Sequence, residues 1–291
     1  MDIQRLTEDL GGRWHGSYGL AYCPAHDNTR TPALSLAEGT DNRLLVKCHT
    51  GCTFTEVLDA LRRRGLIDQG RSDSTPNPLV QAQRWAKKQT DAATRAAQAR
   101  RLWTEAKPIA GTLAEVYLRK RGITCFLPES LRFSPSCWHA SAQRYPALVA
   151  MIEGAESFAV HRTYLAPDGT GKAAVTPSKT MLGQCAGGAV RLSEVQGPLI
   201  ISEGIETSLS LASGLFRGPA SVWAALSTSG MKSLRLPQHP SQLTIASDGD
   251  KAGKEASYAL AERATALGWN VALLPAPNGL DWNDFLKGGA L

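Results

Sequence analysis

The chain has 291 residues, of which 43% are hydrophobic, 20% charged and 7% aromatic, and its formal net charge is +6. That composition excludes a wholly disordered, collagen-like or coiled-coil protein and leaves room for one large domain or two to three small ones. No run approaches the roughly 18 apolar residues of a membrane span, and residues 1–5 lack a basic-then-apolar signal pattern, so a cytoplasmic protein with no membrane partner is expected.

The charge is uneven along the chain. Residues 1–66 balance 8 basic against 8 acidic residues, residues 67–196 carry 17 against 10, and residues 197–291 carry 7 against 8. The basic excess therefore sits mid-chain, where it suits either a polyanion such as nucleic acid or a solvated helix surface.

Three of the six cysteines fall within the first 52 residues. Cys23-Pro24-Ala25-His26 and Cys48-His49-Thr50-Gly51-Cys52 make two short-spaced ligand pairs that can converge on one tetrahedral ion. Between them, stretches 32–36 and 43–47 predict two strands joined by a turn at 39–42, a hairpin whose outer ends bring the ligand pairs together. Cys23, His26, Cys48 and Cys52 are the expected ligands of one structural Zn²⁺, with His49 or His15 as substitutes. Thr53-Phe54-Thr55-Glu56 then has capping-box spacing and predicts a helix over 57–64.

Cys-Pro-x-His, followed by Thr31-Pro32-Ala33-Leu34-Ser35 and a strand ending in Cys-His-x-Gly-Cys, resembles the zinc-binding domain of bacterial-type and phage primases. The resemblance implies a ribbon that helps choose where on a template a primer starts.

Residues 72–78 read as a linker, and 80–106 and 112–120 as helices, the second closed at Gly122. Arg100, Arg101, Arg119, Lys120 and Arg121 could grip phosphates from these helices or simply be solvated. Trp85 and Trp103 lie within helical patterns and are expected to pack. Strands are expected at 145–152, 157–165 and from 187 to 192, with Arg162, Lys172, Lys179 and Arg191 along the sheet. This region is similar to the one that precedes the catalytic fold in phage and plasmid primases, which implies that these basic residues face nucleotide and template.

From residue 197 onward, short apolar strands alternate with helices, the pattern of a parallel sheet. Glu203 follows the strand at 198–202, and Asp248 and Asp250 follow the strand at 243–247, the edge where such sheets build sites. Brought together, three carboxylates call for a cation, and hard oxygen donors favour Mg²⁺ or Mn²⁺. Glu-Gly after one strand and Asp-Gly-Asp after another resembles the Toprim fold of primases, topoisomerases and some nucleases. Gly279-Leu280-Asp281-Trp282-Asn283-Asp284 is similar to the closing signature of that family, with Leu280 in place of its basic residue. Asp281 and Asp284 either approach the metals or cap the closing helix.

The fold expected is thus α/β overall: a zinc ribbon at 1–66, a linker and basic helical connector at 67–130, a basic mixed sheet at 131–196, and a Rossmann-like Toprim sheet at 197–291. The resemblance implies a DNA-dependent RNA primase of phage, plasmid or mobile-element replication that works on single-stranded DNA and nucleoside triphosphates with two Mg²⁺ or Mn²⁺ ions. Glu203, Asp248 and Asp250 would be catalytic and metal-holding, and Arg119, Arg121, Arg162, Lys172, Lys179 and Arg191 would hold nucleotide or DNA. A Toprim nuclease and a non-catalytic zinc and Toprim DNA-binding module are the alternatives. No P-loop pattern is present, so a helicase is expected as a separate partner.

Overall fold

The computed structural model describes residues 2–26, 32–39, 44–67 and 78–288, so most of the expected turn at 39–42 and of the linker at 72–78 lies outside the described residues. The chain divides into two compact units, Met1–Gln83 and Arg84–Leu291.

In the first unit, helix α1 (Ile3–Asp9) is capped by the Asp2 carboxylate, which accepts the Arg5 N–H at 3.0 Å. Strands β1 (Arg13–Trp14), β2 (Tyr18–Ala21), β3 (Leu34–Glu38) and β4 (Leu44–Cys48) form an antiparallel sheet in that order. Leu34 and Leu36 alternate inward from β3 against Ile3 and Leu6 of α1 and against Val57 and Leu61 of α2 (Phe54–Arg63). The predicted capping box opens α2: Thr53 accepts the Glu56 N–H, and Glu56 accepts the Thr53 N–H. Helix α3 (Pro78–Glu105) spans the boundary between the units.

The second unit contains two sheets. Strands β5 (Lys107–Pro108), β6 (Leu131–Trp138), β7 (Arg144–Ile152), β8 (Ala159–Tyr164) and β9 (Lys179–Leu182) form an antiparallel meander. Alternation along β7 divides its faces. Leu148, Ala150 and Ile152 join Ala114, Tyr117 and Leu118 of α4 (Leu113–Lys120), whereas Ala147 and Val149 meet Ala99, Leu102 and Trp103 of α3.

The second sheet has the order β10-β12-β11-β13-β14, from β10 (Val190–Ser193), β11 (Leu199–Ser202), β12 (Ser221–Ala224), β13 (Gln242–Ala246) and β14 (Asn270–Leu273). The last four strands are parallel, and β11 is buried at every position, as a central strand covered on both faces must be. Its helices are α5 (Ile205–Ser210), which continues into a π-helical turn at Leu211–Leu215, then α6 (Thr228–Ser233), α7 (Lys251–Ala266) and α8 (Trp282–Lys287).

Three elements depart from expectation. Strand β10, read with the preceding basic sheet, pairs antiparallel with β12 and so edges the second sheet. Strand β9 is too short for its alternation to be visible in sequence. Helix α6 was not among the expected elements, and the Ser227 hydroxyl caps it by accepting the Gly230 N–H at 2.9 Å.

Candidate functional site

In the first unit, the ends of β2 and β4 and the entry to α2 bring Cys23, His26, Cys48 and Cys52 together, with their ligand atoms all within 4.8 Å of one another. Nδ1 of His26 faces the thiols, 3.1 Å from Cys52 Sγ. Its Nε2 lies 3.1 Å from the Thr50 hydroxyl, which is also 3.0 Å from Cys48 Sγ. Such an outer partner fixes the imidazole with Nδ1 turned to the ion position. Burial pushes the Cys48 thiol up, but its hydrogen bonds with the Thr50 hydroxyl and backbone outweigh this and bring it down to about 6. Cys52, by burial and the neighbouring thiols, is pushed up to about 11. The group is a closed Cys₃His set compatible with zinc. The two substitutes stand outside it: His49 is bonded to Ser35 at 2.7 Å and His15 stacks on Tyr18.

In the second unit, Glu203 leaves the carboxyl end of β11, and Asp248 and Asp250 follow β13, the neighbouring parallel strand. Burial and then the charge of Asp250 raise the Glu203 carboxyl above its ordinary range. Burial, then Glu203, Asp281 and Asp250 in that order, push Asp248 up to about 7, with Lys179 opposing. Asp281 thus approaches the set while its side chain also caps α8 by accepting the Asp284 N–H at 2.7 Å. Asp284 is exposed. Asp250 caps α7, accepting the Gly253 N–H at 2.7 Å. One oxygen of Asp248 is buried with no hydrogen-bond partner, as a group reserved for a cation would be.

Gly249 explains how Asp281 arrives. A Cβ there would collide with the Pro277 carbonyl oxygen, and the Gly249 N–H donates to the Leu280 carbonyl at 2.9 Å. The bare backbone lets the segment before α8 lie against the Asp-Gly-Asp loop. Beside Glu203, Leu226 holds a left-handed φ of 71° while its N–H donates to the Glu203 carbonyl at 2.7 Å.

The predicted basic residues separate into groups. Lys179 bonds the buried Glu206 at 2.9 Å, and the Tyr117 hydroxyl donates to the other Glu206 oxygen at 2.7 Å. Burial opposes ionisation of Glu206, but Lys179 and Lys172 overcome it and hold the carboxyl well below its usual range. Burial, then Lys179, lowers Lys172. Lys179, Lys172 and Glu206 form one charge group, and the charge of Lys179 is felt at both Glu203 and Asp248.

Arg162 lies elsewhere. It stands opposite Thr180, and Thr163 stands opposite Lys179, so the sheet separates Arg162 from Lys179. Arg119 pairs with Glu115 and donates to the Ile123 and Cys125 carbonyls, closing its own helix. Arg191 pairs with Glu194 and lies over Trp223. Arg121 lies over Tyr117 and donates to Asn283 of α8 at 2.8 Å. Trp103 packs with Arg132 over its ring, but Trp85, expected to pack, is 66% exposed.

Sequence reasoning missed Glu206, Tyr117 and Asn283. Glu206 carried one signal, an acid in the first turn of a helix that begins beside Glu203. Asn283 is fully buried between Arg121 and Ser210, and only the fold brings those partners to it.

Residues 198–290 match the family described as a Toprim domain. Residues 93–192 match a domain of unknown function, DUF7146. Over 45 residues the chain is 47% identical to a DNA primase of Geobacillus stearothermophilus, which is 16% of this chain but 8% of that protein. A primase from Aquifex aeolicus (zinc-binding and RNA polymerase domains) is similar in structure, with 15% identity, coverage of 99% of this chain and 80% of that one, and a TM-score of 0.42. A DNA primase domain from Pseudomonas aeruginosa gives 18% identity, 68% and 74% coverage, and a TM-score of 0.40. The expected kinship with zinc-containing Toprim primases is borne out by the Toprim match, the primase similarity and the Cys₃His site. No helix among the described residues is long and apolar enough to cross a membrane.

Proposed function

We propose that the chain is a DNA-dependent RNA primase that makes short primers on single-stranded DNA from nucleoside triphosphates. One observation carries this reading. Glu203, Asp248, Asp250 and Asp281 lie at the carboxyl edge of the second sheet, near enough for their charges to act on Asp248, and one buried Asp248 oxygen has no donor.

That donor set fits Mg²⁺ or Mn²⁺, because hard oxygens and uncompensated negative charge are what such ions take. Two bound ions would activate the attacking hydroxyl of one nucleotide and steady the leaving pyrophosphate of the next. Glu203, Asp248 and Asp250 hold them in this reading, with Asp281 as a fourth carboxylate that also caps α8. Lys179 and Lys172 bring positive charge to the triphosphate, and Glu206 and Tyr117 fix where Lys179 stands. Phosphoryl transfer asks mostly for such positioning and charge compensation, so this chain needs no covalent nucleophile. In the first unit, Cys23, His26, Cys48 and Cys52 hold one structural zinc, and the ribbon meets the template.

The test uses single-stranded DNA, labelled nucleoside triphosphates and Mg²⁺ or Mn²⁺, with products sized on a gel. Short labelled oligonucleotides are expected from the native chain and none from Glu203→Gln, whose DNA binding should stay nearly intact. Native-rate synthesis by Glu203→Gln would remove the catalytic assignment and leave a DNA-binding module. Shortened template without labelled product would indicate a nuclease.

A further inference from the structure

On the α3 face of the meander, away from Lys179 and the carboxylates, lies a cavity of about 570 Å³. Its lining includes Arg101, Trp138, Arg144, Arg162, Tyr164 and Thr180. The volume is that of a small-molecule site and suits one nucleotide unit.

Three guanidinium groups face this space against one carboxylate, Glu105, which Arg101 already neutralises at 2.7 Å. Arg144 and Arg162 therefore remain as uncompensated charge. Arg162 spends one N–H on the Trp138 carbonyl at 3.3 Å, and its buried Nε has no hydrogen-bond partner. A buried, unanswered guanidinium N–H is costly unless an acceptor meets it. Arg144 is exposed, donates to the Ser136 carbonyl at 2.9 Å and stands 5.9 Å from the Trp138 ring centroid. Trp138 itself is 52% exposed, an indole offering open surface beside the two cations.

The floor is rigid. Tyr164 donates to the Trp138 carbonyl at 2.8 Å, Thr180 donates to the Tyr164 hydroxyl at 3.2 Å, and Arg162 lies over the Tyr164 ring. Cations that can take phosphate beside an open aromatic face that can take a base are the two halves of nucleotide recognition.

We propose that this cavity is a second nucleotide site, with phosphate on Arg162 and Arg144 and the base against Trp138. It takes either a free nucleotide or one unit of a single strand, whose chemistry is the same. It does not depend on whether the Toprim carboxylates make primers.

The test is photolabelling of the full chain, without added divalent ion, by an azido-ADP photoprobe and separately by a photoreactive oligothymidylate with a terminal phosphate. Labelled peptides are then mapped and affinities measured by calorimetry. The expected result is label on the peptide containing Trp138, with affinity reduced about tenfold or more in Trp138→Ala and in Arg144→Ala. Both residues are exposed, so these variants should fold, and Arg162→Lys should retain part of what Arg162→Ala loses. Labelling by azido-ADP assigns the site to free nucleotide, and labelling by the oligothymidylate alone assigns it to a strand. Label confined to peptides of the carboxylate edge would overturn the proposal. So would pyrophosphate binding as tightly as ADP with no loss in Trp138→Ala, which would make the cavity an anion site only.

Discussion

The Lys179–Glu206 pair sits where burial and charge oppose each other. Glu206 is almost wholly buried, and it stays ionised because Lys179, Lys172 and the Tyr117 hydroxyl face it. Removing its charge in Glu206→Gln leaves two lysines repelling each other. The expected loss is about 1–3 kcal/mol, discounted because Lys179 keeps solvent contact, and it is read by chemical denaturation. Activity should fall with it, since Lys179 loses its anchor. His161 adds a pH dependence. Burial, then Lys179, lowers it to about 4, and its Nδ1 is buried without a partner. The unfolded chain therefore binds a proton that the folded chain refuses between about pH 6.5 and pH 4, and stability is lost as pH falls through that window. His161→Gln should flatten that part of the stability profile by up to roughly 3 kcal/mol, which denaturation at a series of pH values measures. The individual acids were legible in sequence because Glu203, Asp248 and Asp250 each end an apolar strand. Glu206, Tyr117 and His161 were not, because their partners lie on other elements and no spacing encodes them.

Among the elements, the Asp-Gly-Asp loop shows how backbone decides where charge goes. Gly249→Ala places a methyl group against the Pro277 carbonyl and should push away the segment that carries Asp281. A loss of about 1–3 kcal/mol is expected, together with weaker Mn²⁺ binding measured by calorimetry. Helix α2 has a similar role in the other unit, since its capping box fixes the backbone immediately after Cys52. The capping box and the strand-helix alternation after residue 197 were readable because local rules specify them. Strand β10 pairs with β12 and not with the preceding basic sheet, because alternation along a strand says which residues face inward but not which neighbour they meet. Arg162 and Lys179 looked equivalent for the same reason, and only the register of β8 against β9 shows that they face opposite ways.

At the scale of the whole molecule, two compact units imply two separable stabilities. Freshly purified protein should hold one equivalent of zinc by elemental analysis. In Cys52→Ser, zinc content should fall and the first unit should melt early, with the second transition unchanged in circular dichroism. Binding to single-stranded DNA should weaken steeply as salt rises, because lysines and arginines displace condensed counterions, and titrations at several ionic strengths check this. The hydrogen bonds that tie the α4 segment to α5 and α8 have a consequence in time. Arg121 meets Asn283 across 162 positions of sequence, and Tyr117 meets Glu206 across 89. Contacts so distant along the chain cost loop entropy before they return any stabilisation, so they form late and slow the search. Refolding of the second unit should therefore lag well behind its collapse, and for that interval the carboxylate edge is a set of strands still waiting for Asp281.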